Sequence, residues 1–246
     1  MKLKEKLLFT LVSWLLISSI ATAGDAGTQL MHKGHPGFSV GVFRATQGEE
    51  QHINIQTLVG NNVTVTKSND QNVLLGLGYL LDGGDHGRFN LAYGIDAFYI
   101  AKTNVQGVVT QEDVFANLSY QYSTTNIPIY VIAKAAIKNA NDKYALTLDV
   151  GLGPNIMRTY NYFATSLDDG VTIPDNAFLG RRSTVFSATA GVGIPFNNVP
   201  GSSLVELGYR FFCLGQGEFA TRTNQILNSL KTGNSYANAL VLTIST

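Results

Sequence analysis

The sequence predicts an all-β protein: one transmembrane antiparallel up-and-down β-barrel with a filled lumen, of eight strands, ten being the alternative count. Three observations predict it. The first 23 residues have the make-up of an export signal. After them, apolar residues recur at every second position in eight separate blocks. The other face of those blocks is small and sparsely charged, and charged residues are only 14% of the chain, against about 25% in an ordinary soluble domain.

Residues 1–23 (MKLKEKLLFTLVSWLLISSIATA) read as a cleaved secretory signal peptide. Lys2, Lys4 and Lys6 form the basic start, Leu7 to Ile20 the apolar run, and Ala21-Thr22-Ala23 the small-residue cleavage site. That run is shorter than the ~20 residues a spanning helix needs. Residues 24–35 are a lead-in, and 36–246 form the barrel domain. Beyond residue 23 no run of 18 apolar residues occurs, so a membrane crossing there has to be made by strands.

The strand blocks follow in order. Phe38, Val40 and Val42 alternate with Ser39, Gly41 and Phe43. Val73 to Leu81 and Phe89 to Tyr99 alternate likewise, with Gly76, Gly78, Ala92, Gly94 and Asp96 on the second face. Next come Ile127 to Ile137, Tyr144 to Leu152, Phe186 to Ile194, Val205 to Phe211 and Leu240 to Ile244. A soluble sandwich would cover its second face with Lys and Glu. Here Gly, Ser, Thr and Ala suit the inside of a narrow barrel, and the large residues turn to lipid.

The connections alternate in length. Asp82 to Gly87, Lys138 to Asp142 and Asn197 to Gly201 are short; 46–71, 101–113, 164–181 and 220–235 are long. That rhythm is the one of tight periplasmic turns and longer outer loops. Segments 52–59 and 62–67 alternate across Gly60-Asn61 and predict a hairpin inside the first long loop. Residues 113–138 exceed one crossing of ~9–11 residues. One long strand with an irregularity before Pro128 accounts for them; a turn at Ser123–Asn126 is the alternative and would add a strand. Sixteen aromatic residues, among them Phe43, Tyr79, Tyr120, Tyr122, Tyr130, Tyr162 and Phe212, fall near block edges, as interfacial girdles require.

Glu206-Leu207-Gly208-Tyr209-Arg210-Phe211 resembles the penultimate strand of the small OmpA-like and opacity-protein-like barrels of Gram-negative outer membranes. Leu75-Gly76-Leu77-Gly78-Tyr79, Val150-Gly151-Leu152-Gly153 and Ala190-Gly191-Val192-Gly193 are similar to their Gly-laced strands, and Leu240 to Ile244 to their closing strand. The likeness spans roughly 36–246 and departs at the end, where Ile244-Ser245-Thr246 stands in place of a terminal aromatic. The resemblance implies an outer-membrane protein with a structural or surface-interaction role, in adhesion or host contact.

Parity places Asp96, Lys134, Asp149, Glu206 and Arg210 on the inward face, where they are expected to form a structural charge network across the lumen. No catalytic, cofactor or metal site is expected. The four His (His32, His35, His52 and His86) lie before the first strand, in a loop or in a turn, away from any Ser–carboxylate pair. His32-x-x-His35 offers only two metal ligands. Cys213 is expected to be a buried, inert thiol, and Ile226, Leu227 and Leu230 to pack within their loop. Equal counts of 17 basic and 17 acidic residues exclude a basic nucleic-acid-binding surface. The expected partners are outer-membrane lipid and a surface ligand met by the outer loops of a monomer. A narrow channel for small polar solutes, a lipid-modifying enzyme and a soluble barrel binder are the competing readings.

Overall fold

The computed structural model describes residues 34–139, 144–196 and 204–246. The expected signal peptide (1–23) and nearly all of the lead-in (24–35) lie outside the described residues, as do His32, most of the second short turn (138–142) and all of the third (197–201). Eight strands close into a ring: β1 (Gly34–Thr46), β4 (Asn69–His86), β5 (Phe89–Gln111), β6 (Phe115–Lys138), β7 (Tyr144–Ser166), β9 (Arg182–Phe196), β10 (Leu204–Glu218) and β12 (Lys231–Ser245). Each neighbours the next in chain order, and β12 closes antiparallel on β1 with Phe38 opposite Ile244 and Val42 opposite Leu240. The eight-strand count therefore holds. The remaining four strands, β2 (Gln51–Ile53), β3 (Asn61–Lys67), β8 (Phe178–Leu179) and β11 (Ala220–Thr221), belong to the long-loop end.

Alternation decides which way each side chain faces. Leu77 is 68% exposed while Leu74 on the same strand is fully buried, so parity and not hydrophobicity sorts them. Val131, Val150, Leu152, Ile194 and Leu240 line the outer face and are all exposed. The large residues assigned outward in the sequence do point outward. The lumen, however, is not lined only by small residues. Phe43, Leu74, Phe98, Tyr130, Met157 and Phe212 fill its middle, with the Phe98 and Phe212 rings edge-on at 5.3 Å. This corrects the girdle expectation: Phe43, Tyr130 and Phe212 are core residues of the lumen. Tyr120 and Tyr122 belong to a second core nearer the long-loop end, with Phe178 and Phe219.

The barrel is longer than a membrane is thick. Strands β5, β6 and β7 have 23, 24 and 23 residues, about a dozen more than one crossing requires. The long connection expected over 101–113 is in fact strand as far as Gln111, followed by a tight turn in which Glu112 and Asp113 have φ of 53° and 59°. A register shift between Ile100 and Thr103 flips the inward parity there, so that Phe98 and Ile100 give way to Thr103, Val105 and Val109. Of residues 113–138, Phe115–Lys138 form the single strand β6, with a register shift against β7 between Gln121 and Ser123, ahead of Pro128. The hairpin in the first loop forms, but its first arm is only Gln51–Ile53. At the other end, β4 and β5 run closer together than the expected Asp82–Gly87 turn allowed, with a bulge between Asp82 and Gly84.

Candidate functional site

The lumen is layered. Nearest the chain termini, Lys134 Nζ lies 2.7 Å from Glu206 Oε2, and Arg210 Nη2 lies 2.9 Å from Asp149 Oδ1. Arg210 Nη1 is 3.5 Å from Asp96 Oδ2, and its guanidinium stands 5.0 Å from the centre of the Phe98 ring. All five residues picked by parity thus meet in one cluster, drawn from β5, β6, β7 and β10. Their side chains are 3–15% exposed, so each charge relies on its partners rather than on water.

Glycines make the room. A Cβ on Gly191 would fall 2.6 Å from Asp149 Oδ2, and one on Gly193 would fall 2.6 Å from Glu206 Oε1. A Cβ on Gly78 would strike Asp96 Oδ1. Three glycines of the Gly-laced strands therefore seat the three carboxylates.

Past the charges comes the aromatic core, then a polar layer. Gln47 donates from Nε2 to Thr103 Oγ1 at 2.9 Å, while its Oε1 accepts from Thr124 at 2.9 Å and Ser235 at 3.2 Å. Asn155 donates to Asn126 Oδ1 and to the Leu214 carbonyl, both at 2.8 Å. Tyr120, Tyr122, Tyr162 and Phe219 follow as a second ring cluster. Parity revealed the inward positions of the first layer; it could not reveal this sequence of plugs, because neighbours across a barrel are distant in the chain.

At the long-loop end the connections are folded onto one another. The Ile55 backbone pairs with Ile226, and β8 pairs with β11. The 164–181 loop is pinned by Asp168, which accepts from Ser166 and Thr172 hydroxyls, each at 2.5 Å, and from the Thr172 N–H at 2.9 Å. These donors hold the Asp168 carboxyl below its ordinary range, at about 2. Ile226 and Leu230 are buried in loop packing and Leu227 is exposed.

The other singled-out side chains do not converge. His35 stands 3.3 Å from Asp82 Oδ2 and 3.4 Å from the Thr246 carbonyl. His52 contacts Asn62 Oδ1 at 2.7 Å and the Val59 carbonyl at 3.0 Å. Cys213 is half-buried rather than buried, because it lies on the outward face of β10, between the inward Phe212 and Leu214. Among the described residues no three His, Cys, Asp or Glu side chains group as metal ligands.

No family model and no curated protein sequence matches the chain. Among solved structures it is similar to the outer membrane protein OprG of Pseudomonas aeruginosa, with 12% identity, 85% of this chain and 95% of that one covered, and a TM-score of 0.47. It is also similar to Ail, the attachment invasion locus protein of Yersinia pestis, in complex with the heparin analogue sucrose octasulfate (10% identity, 87% and 97% covered, TM-score 0.38). Neisserial surface protein A is a third (10% identity, 85% and 96% covered, TM-score 0.36).

Proposed function

We propose that the chain is a monomeric outer-membrane barrel of a Gram-negative bacterium, shut to solutes, that acts as a surface-interaction protein through its outer end. The observation that carries this reading is the pairing of an apolar outer wall with a blocked lumen. Leu77, Val131, Val150, Leu152, Ile194 and Leu240 would each hold an apolar side chain in water if the protein were soluble; in a bilayer they meet hydrocarbon. Inside, the charge cluster, the Phe98–Phe212 core and the Gln47 layer close the bore one above another.

The charge network is then structural. It fills the lumen with paired ions and ties four strands together, and nothing in it calls for a substrate. Strand extensions carry the loops clear of the bilayer and present them as a rigid recognition surface. The reading assigns no catalytic role to His35 and His52, which contact Asp82, Asn62 and backbone carbonyls.

Membrane fractionation tests the placement. The protein should need detergent for extraction and migrate differently on gels before and after heating. Recovery in a detergent-free soluble fraction would overturn it. Reconstitution in planar bilayers should give no conductance steps; open, ion-selective steps from purified protein would replace this reading with the channel one.

A further inference from the structure

A cavity of about 310 Å³ lies at the outer end, above the lumen plugs. That is the lower edge of the size range of small-molecule sites. Its apolar wall includes Ile53, Val63, Val109, Leu118, Phe178 and Ile226, all buried. These residues come from four stretches of chain that the long connections bring together. The backbone holds them in place: Glu112 N–H donates to the Gly60 carbonyl at 2.9 Å, Arg222 N–H to the Ala177 carbonyl at 2.9 Å, and Ile55 bridges to Ile226. The site is thus preformed, not a gap between loose loops.

Its charge has one sign. Glu112 and Asp175 are on the lining, and among the described residues no Lys, Arg or His is. Glu112 uses Oε2 to accept the Val59 N–H at 3.0 Å, which aims the carboxylate without neutralising it. The cations adjacent in sequence, Arg222 beside Thr223 and His52 beside Ile53, are off the lining. An organic anion entering here meets two carboxylates. A molecule with an apolar body and an ammonium head buries the first and pairs the second.

We propose that this cavity is a binding site for small apolar organic cations, alkyl- or arylammonium compounds of fragment size. The site gives the outer end a ligand class and rests on the surface-interaction reading only for the side of the membrane it faces.

The test uses the protein folded in lipid nanodiscs, with 4-phenylbutylammonium as probe and 4-phenylbutyrate as its counterpart of like body and opposite charge. Binding is read by saturation-transfer NMR against empty nanodiscs. The ammonium should bind saturably, roughly tenfold more tightly than the carboxylate. Ile226→Trp, which fills the cavity, should abolish binding, and Leu227→Trp, on the exposed neighbour, should leave it intact. Glu112→Gln with Asp175→Asn should reduce the charge preference to about twofold or less. Heat-dependent gel migration checks that each variant is folded; if Ile226→Trp is not, the carboxylate pair carries the test. Equal affinity for the two probes, no saturable ammonium signal, or undiminished binding in folded Ile226→Trp overturns the proposal. Fractionation decides the membrane reading separately, so a failure of one is not mistaken for a failure of the other.

Discussion

Replacing Arg210 by Met tests the charge network most directly. In the native lumen, two cations face three anions, and Arg210 serves two of the anions, at 2.9 Å and 3.5 Å. Arg210→Met keeps much of the side-chain volume and removes the charge. Asp149, 3% exposed, then loses the cation at 2.9 Å, and Lys134 stands alone against three carboxylates. Removing one partner of a buried pair costs about 3–5 kcal/mol, and loss of the contact with the Phe98 ring adds about 0.5–2 kcal/mol. Arg210→Met should therefore lower the folding equilibrium constant by at least two decades, at ~1.4 kcal/mol per decade. The assay is urea titration in lipid vesicles, with the folded fraction read from unheated gel migration. The diagnostic arm is Arg210→Met with Asp96→Asn and Asp149→Asn. It removes the whole group and leaves Lys134 with Glu206, so most of the loss should return. A cost under about 1 kcal/mol for Arg210→Met, the size of an exposed pair, would refute the reasoning. So would a triple variant no more stable than the single one.

Other outcomes follow from the same geometry. Gly191→Val should displace the Asp149 carboxylate, because even a Cβ would lie 2.6 Å from it; the variant should be destabilised, and less so when Asp149 is also Ala, as a double-mutant cycle in urea would show. Spin labels at Leu77, Leu148 and Leu207 should be relaxed by lipid-dissolved oxygen and labels at Gly78, Asp149 and Gly208 protected; the reverse pattern would turn the barrel inside out. Asp168 has a folded pKa of about 2, below the ordinary 3.8. Its contribution to loop order is therefore present above that ordinary value and lost as pH falls through about 2. Proteolysis of the 164–181 loop by an acid-stable protease should rise across that window, and Asp168→Asn should flatten the rise. Phe98→Ala with Phe212→Ala removes the two rings that meet edge-on across the lumen; it should be destabilised by about 3 kcal/mol or more in urea yet stay silent in planar bilayers, since the charge cluster and the Gln47 layer still close the bore.

Parity served the reading well wherever the ladder is regular. Asp96, Lys134, Asp149, Glu206 and Arg210 were assigned inward from alternation alone, and their side chains converge in the lumen. It failed at the bulges. Beyond Ile100 the inward set jumps from even to odd numbers, so 101–113 looked like a loop although the hydrogen-bonded ladder continues to Gln111. The aromatic residues misled for another reason. Phe43, Tyr130 and Phe212 favour strands in either environment, so nearness to a block edge could not distinguish a ring in lipid from a ring in the lumen.

The order of residues along the chain determined most of the strands and, wherever the ladder is regular, the face each side chain takes, because a period of two is a local property of extended backbone. Which inward residues touch was settled by closure. The wrapping of the sheet sets Arg210 of β10 against Asp96 of β5 and Asp149 of β7, and it gathers four loop segments around one acidic apolar cavity. Those neighbours are separated by tens of residues, and the stagger that joins them appears only when β12 meets β1.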